Sequence, residues 1–220
     1  MKNIEIYKEK VEQALKEFLN KKLETDGKYH PHIHGLIDNI LEYNLRKAKR
    51  IRPLIIISTY KCFKEDNKII NPAISIELMQ AYLLIHDDII DNSSLRRGKP
   101  AMHKIYEKKY GERIGLSIAI LAGDLCSSYT YESIMQSSFN MQEKFEALKI
   151  INWINNRENY GQSLDILPDF RNLNENDIWK IYELKTATYT TQGPVLIGCV
   201  LAKASQEKTE KLKEYAYNIG

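Results

Sequence analysis

The chain has 220 residues, 43% hydrophobic and 28% charged, the proportions of a soluble globular protein with one sizeable core. Its net charge of +3, with Lys and Arg mixed evenly among Asp and Glu, argues against a nucleic-acid partner. Cys62, Cys126 and Cys199 are odd in number and widely spaced, which fits a reduced cytoplasmic protein, and no apolar run approaches the roughly 20 residues of a membrane span.

The opening "MKNIEIYKEKVEQALKEF" is too charged for a secretion signal. Ile4, Tyr7, Val11, Leu15 and Phe18 step by three or four, which predicts an amphipathic helix, broken by "TDGKYHPHIHG". His30, His32 and His34 alternate in that break and are read as a proline-containing loop rather than a metal site, since zinc usually takes a fourth ligand. Leu36, Ile37, Ile40, Leu41 and Leu45 resume the helical spacing. Pro53 suits the first turn of a helix carrying "LIIISTYKCF". Asn71 and Pro72 predict the start of a helix reaching at least Asp91. Further helices are predicted at about 102–110, 113–137, 141–165, 175–192, 195–204 and 206–218, punctuated by Gly111, "LPDFRNLNEN" and Gly193-Pro194. No stretch sustains an alternation of period two. The prediction is an all-α fold.

Chemistry concentrates in "LLIHDDIIDNSSLRRGKP". On a helix, Asp87, Asp88 and Asp91 face one region, where like charges repel and the helix dipole is already negative. A solvated helix end is the bland alternative. The cluster follows the core-like "AYLLI", however, and an all-oxygen set with room for water suits Mg²⁺, which usually shares its other positions with phosphates. Arg96, Arg97 and Lys99 could hold the remaining phosphate oxygens. In "RKAKRIRP", Lys49 and Arg52 lie three apart and could meet a second anion. Gln162 and Asp165, one helical turn apart, and Lys185 within a largely apolar helix complete four signals that together suggest a magnesium and diphosphate site lined by helices.

"KAKRIRP", "IELMQAYLLIHDDIIDNSSLRRGKP", "ILAGDLC", "GQSLD" and "KTATYTTQGPVLIG", in that order, resemble the trans-isoprenyl (polyprenyl) diphosphate synthases of the farnesyl and geranylgeranyl type. The resemblance implies one polyprenyl synthase domain over 1–220, an isoprenoid-synthase bundle of long, mostly antiparallel helices around a central cavity, and a cytoplasmic homodimer. It implies that Asp87, Asp88 and Asp91 hold Mg²⁺ on an allylic diphosphate (dimethylallyl, geranyl or farnesyl) and that Arg96 binds the same diphosphate. Lys49, Arg52 and Arg97 match the residues that hold isopentenyl diphosphate, with Gln80 where many members place a contacting His. Lys185 and Thr186 match the "KT" whose lysine meets the allylic diphosphate; Gln162 and Asp165 match a polar pair lining the site. Met79, Tyr82 and Leu83 match positions that set product length, and their pattern resembles that for geranylgeranyl diphosphate, with farnesyl diphosphate close behind.

Two departures bear on activity. "KA" replaces the usual "GG" before Lys49, a change of loop freedom more than of charge. The sequence stops at "EYAYNIG", where the family continues into "FQ" and a second aspartate-rich motif. The expectation is a truncated sequence, lacking the C-terminal helices of the family's bundle, because every catalytic position upstream is in place. The alternatives for that end are a missing half supplied by another polypeptide and a non-catalytic or regulatory subunit; the alternative enzyme is a terpene cyclase, which would not need two basic clamps.

Overall fold

The computed structural model describes residues 2–166 and 174–220. In chain order these form α1 (Lys2–Thr25), a 3-10 turn (Asp26–Tyr29), α2 (Pro31–Leu45), α3 (Ile51–Lys61), α4 (Ile70–Ala73) and α5 (Ser75–Ile90). A two-stranded ribbon, β1 (Leu95–Arg96) and β2 (Lys99–Pro100), precedes α6 (Met102–Tyr110), α7 (Glu112–Met135) and α8 (Met141–Asp165). Then come α9 (Glu175–Ile181), a π-helical segment (Tyr182–Gln192), α10 (Gly193–Ala202) and α11 (Gln206–Ile219). The "LPDFRNLNEN" break lies outside the described residues over 167–173.

The protein divides into two compact units, residues 1–50 with 70–136 and residues 51–69 with 137–220. In the first, Val11, Leu15 and Leu19 of α1, Ile37 and Ile40 of α2, Ile76, Leu78 and Ile85 of α5 and Ala119 and Ala122 of α7 are buried. The small residues of α7 let α5 and α6 pack closely on it. In the second, α3 packs on α10, and α8 packs on the π-helical segment and α10. Ile56, Ile57, Ile151, Ile154, Ile197 and Leu201 are buried there.

Local rules explain most boundaries. α8 starts where Asn140 accepts from the Glu143 amide and Glu143 accepts from the Asn140 amide, satisfying two orphan donors at once. Asn174 and Asp177 do the same for α9.

Four predictions shift. The break after α1 is shorter than "TDGKYHPHIHG": His30 caps α2 by accepting from the His32 amide, and Pro31 sits in the first turn, so His32 and His34 are helical. The helix expected from Asn71 is two, a short α4 and α5, which starts without a side-chain cap and ends at Ile90 with Asp91 as its C-cap. The ribbon is an addition to the predicted elements, because two-residue strands carry no readable alternation. Its turn has φ of 54° at Arg97 and 76° at Gly98, the left-handed pair of a tight hairpin, and glycine meets that demand without a Cβ clash. The fourth concerns 175–192, expected as one helix, which widens at Tyr182. Thr188 Oγ1 donates to the Glu183 carbonyl (2.8 Å) and Thr191 Oγ1 to the Ala187 carbonyl (2.9 Å), so hydroxyls compete with the amides for backbone acceptors.

Candidate active site

α5 is apolar and buried until its last turn, where it meets the acidic cluster. Asp88 is fully buried, Asp87 about a quarter exposed, and Asp91 exposed. Repulsion among them is relieved from within the protein. Asp88 Oδ1 accepts from Arg96 Nε (2.8 Å) and Nη2, and Oδ2 accepts from Tyr43 Oη (3.0 Å). Arg96 Nη2 also stands 3.6 Å from Asp87. The hydrogen bonds to Asp88 raise the pKa of Arg96, and burial, reinforced by the Asp88 charge, pushes the Tyr43 phenol far above its ordinary value.

α2 also holds the ribbon that carries Arg96. Arg46, buried and lying 4.7 Å over the Tyr43 ring, donates Nη1 to the carbonyls of Arg96 and Pro100 (3.0 Å each) while its other nitrogens grip Glu42. Glu42 takes Lys99 as well (2.6 Å), and the two cations outweigh burial to hold its carboxyl below the usual range. Lys99 is exposed and Glu42 only half-buried, so Lys99 can exchange Glu42 for another anion at little cost.

The basic stretch before α3 is anchored on α5. Arg50 adopts φ of 56° and is buried in an ion pair with Glu77, with further bonds to the Asn44 carbonyl (2.7 Å) and Glu12 (3.2 Å). Lys49 beside it is exposed, without an ion-pair partner among the described residues. Gln80 and Arg97 line one small cavity with Tyr43, Arg50 and Glu77, so two residues expected to serve the same diphosphate do meet. Burial lowers the pKa of Arg97, partly offset by Glu77. Tyr82 meets His86 edge-on at 5.0 Å; Met79 is buried, and Tyr82 and Leu83 are half-buried.

In the second unit, Lys185 on the π-helical segment pairs with Asp165 on α8 (2.5 Å). Gly161 permits this approach, since a Cβ there would lie 2.9 Å from the Lys185 amide nitrogen. Gln162 is half-buried and Thr186 exposed. Arg52 donates to Thr190 Oγ1 (3.0 Å) and lies 4.1 Å over the Tyr189 ring. Lys49 and Arg52, expected as a pair, thus fall in different units.

As a test of fit for magnesium, the donor chemistry divides the acidic trio. Asp87 and Asp91 are oxygen donors one turn apart and reachable by solvent, which suits a hydrated Mg²⁺. Both oxygens of Asp88, the third expected ligand, meet donors, Arg96 on Oδ1 and Tyr43 on Oδ2. No three His, Cys, Asp or Glu side chains form a metal-binding group among the described residues. Glu42, Tyr43, Arg46, Arg50 and Glu77 escaped the sequence reasoning. Only Glu77 left a signal, a lone acid in the apolar run "SIELM" that needs a buried partner.

The model of the family described as polyprenyl synthetase matches residues 34–220, across both units. The chain belongs to that family. Among curated relatives, a short chain isoprenyl diphosphate synthase of Methanocaldococcus jannaschii is 33% identical over 96% of the chain and 59% of its own length. A farnesyl diphosphate synthase of Geobacillus stearothermophilus is 30% identical over 97% of the chain and 69% of its own length. Among solved structures, a geranylgeranyl pyrophosphate synthase from Corynebacterium glutamicum, complexed with isoprenyl diphosphate and magnesium, superposes with a TM-score of 0.91 at 26% identity. That match covers 97% of this chain and 64% of the other, so the chain spans roughly three-fifths of the length of such relatives. The all-α expectation holds, apart from the two-residue strands. Among the described residues no helix is long and apolar enough to cross a membrane.

Proposed function

We propose that the protein is a Mg²⁺-dependent prenyltransferase that condenses an allylic diphosphate head-to-tail with isopentenyl diphosphate. The product is a short-chain diphosphate, geranylgeranyl or farnesyl. The observation that carries this reading is the end of α5, where two solvent-reachable carboxylates and a carboxylate-anchored arginine stand together at the end of a buried apolar helix. Named relatives that make such diphosphates support it. We read 1–220 as one polyprenyl synthase domain, acting as a cytoplasmic homodimer.

Asp87, Asp88 and Asp91 would hold Mg²⁺, Asp87 and Asp91 from the solvent-reachable side; bound there, the ion would offset the charge that builds on a departing diphosphate. Arg96, already aligned by Asp88, offers donors to the same leaving group without reorganising as charge develops. Lys185 and Thr186 serve that diphosphate too, with Gln162 and Asp165 as polar neighbours. Lys49, Arg52, Arg97 and Gln80 bind isopentenyl diphosphate, and holding its double bond close to the allylic carbon supplies much of the acceleration. Met79, Tyr82 and Leu83 receive the growing tail, keep water from the allylic cation and limit product length.

Incubation with Mg²⁺, an allylic diphosphate and labelled isopentenyl diphosphate tests the proposal. Elongated linear products support it. Cyclic hydrocarbons would make the protein a cyclase, and turnover only with a second polypeptide would make it a subunit. In the same assay Tyr82→Ala lengthens the products; an unchanged distribution removes Tyr82 as the floor.

A further inference from the structure

Tyr43 has no part in the function proposed above, yet it is buried and its hydroxyl is aimed at the acidic cluster. It donates to Asp88 Oδ2 at 3.0 Å across 45 residues of sequence. The other oxygen, Asp88 Oδ1, carries Arg96 through Nε and Nη2. A fully buried carboxylate held on one side only could rotate about its terminal torsion. Held on both, it presents Arg96 in one orientation. Arg96 Nη1 has no hydrogen-bond partner among the described residues, and the side chain is 26% exposed, so this nitrogen is free to meet an anion. α2 fixes the ribbon's backbone from the same turn, through Arg46 on the carbonyls of Arg96 and Pro100.

We infer that Tyr43 is a positioning residue that acts through Asp88 to set the Arg96 guanidinium for the allylic diphosphate. The inference rests on the proposed prenyltransferase activity, but it adds a residue whose effect is separable. Removing the hydroxyl leaves Asp87, Asp91 and all the cations in place. It frees Asp88 to turn, and Arg96 turns with it. The loss therefore falls on one phosphate-binding group, while Lys49 and Arg97 keep their hold on the second substrate.

The test is calorimetric titration of the protein with an alkyl bisphosphonate in the presence of Mg²⁺, alongside steady-state kinetics. Tyr43→Phe should weaken bisphosphonate binding by roughly tenfold and raise KM for the allylic diphosphate by a similar factor. KM for isopentenyl diphosphate should stay within about twofold, a split that general loosening of the fold would not produce. Tyr106→Phe is the control. It removes the same atom from another buried tyrosine of the same unit, one whose hydroxyl accepts from Asn39 Nδ2 (2.9 Å), and it should leave bisphosphonate binding unchanged. Equal weakening in both variants, or wild-type affinity in Tyr43→Phe, overturns the role of Tyr43 while the proposed function stands. Absence of Mg²⁺-dependent bisphosphonate binding by the wild-type protein overturns both.

Discussion

Two ion pairs set the units apart. In the first, Arg50 and Glu77 are 1% and 2% exposed and tie the turn before α3 to α5. In the second, Lys185 and Asp165 are 28% and 36% exposed and join the π-helical segment to α8. A buried pair is costly to form and costlier to break, because removing one partner strands a charge away from water. A half-exposed pair can separate, hydrate and meet something else at little cost. The first unit therefore spends buried charge on shape, as the fully buried Asp88 with Arg96 also shows. The second keeps its lysine exchangeable, which suits the phosphate-binding role proposed for it.

That contrast can be broken by measurement. Glu77→Ala should destabilise the protein by about 3–5 kcal/mol in urea unfolding, the largest effect expected; a loss under about 1 kcal/mol would mean that Arg50 is not anchored by it. Asp87→Ala should cut turnover by roughly 10²–10³-fold, with little loss of folding because a like charge is removed. A large fall in melting temperature with turnover retained would instead make the acidic cluster structural.

A pH dependence should arise in the first unit at His103. His103 is buried, and neither ring nitrogen has a hydrogen-bond partner. Burial and then Lys104 lower its pKa from 6.5, against the opposing charges of Asp88 and Glu107. A depressed folded pKa gives stability that is present above pH 6.5 and lost as pH falls through the folded value. The slope should not exceed about 1.4 kcal/mol per pH unit, and His103→Gln should flatten it in thermal melts between neutral and mildly acidic pH. The smallest effect belongs to the second unit. Lys185→Ala should change stability by only about 0–1 kcal/mol while lowering activity. A loss comparable to that of Glu77→Ala would erase the contrast between the two pairs.

Where one local rule decides an outcome, the sequence told it alone. α8 occupies the predicted residues 141–165, because "NMQE" closes its own capping box. The acidic triplet is legible because its spacing and its neighbours lie within one stretch of 18 residues. Tertiary structure decided which side chains answer that triplet. Tyr43 reaches Asp88 over 45 residues, and Arg46 reaches Pro100 over 54. Periodicity marks which face of a helix is buried; it does not say which polar atom of another element will cross that face. The π-helical widening belongs with these, since α and π registers bury similar residues over one or two turns. There the local hydroxyl bonds act together with contacts from afar: Thr191 Oγ1 is shared between the Ala187 and Ala216 carbonyls (2.9 and 2.7 Å), and the Lys185 backbone lies against Gly161. Short-range chemistry set the helices and the charges, and long-range packing assigned each charge its partner.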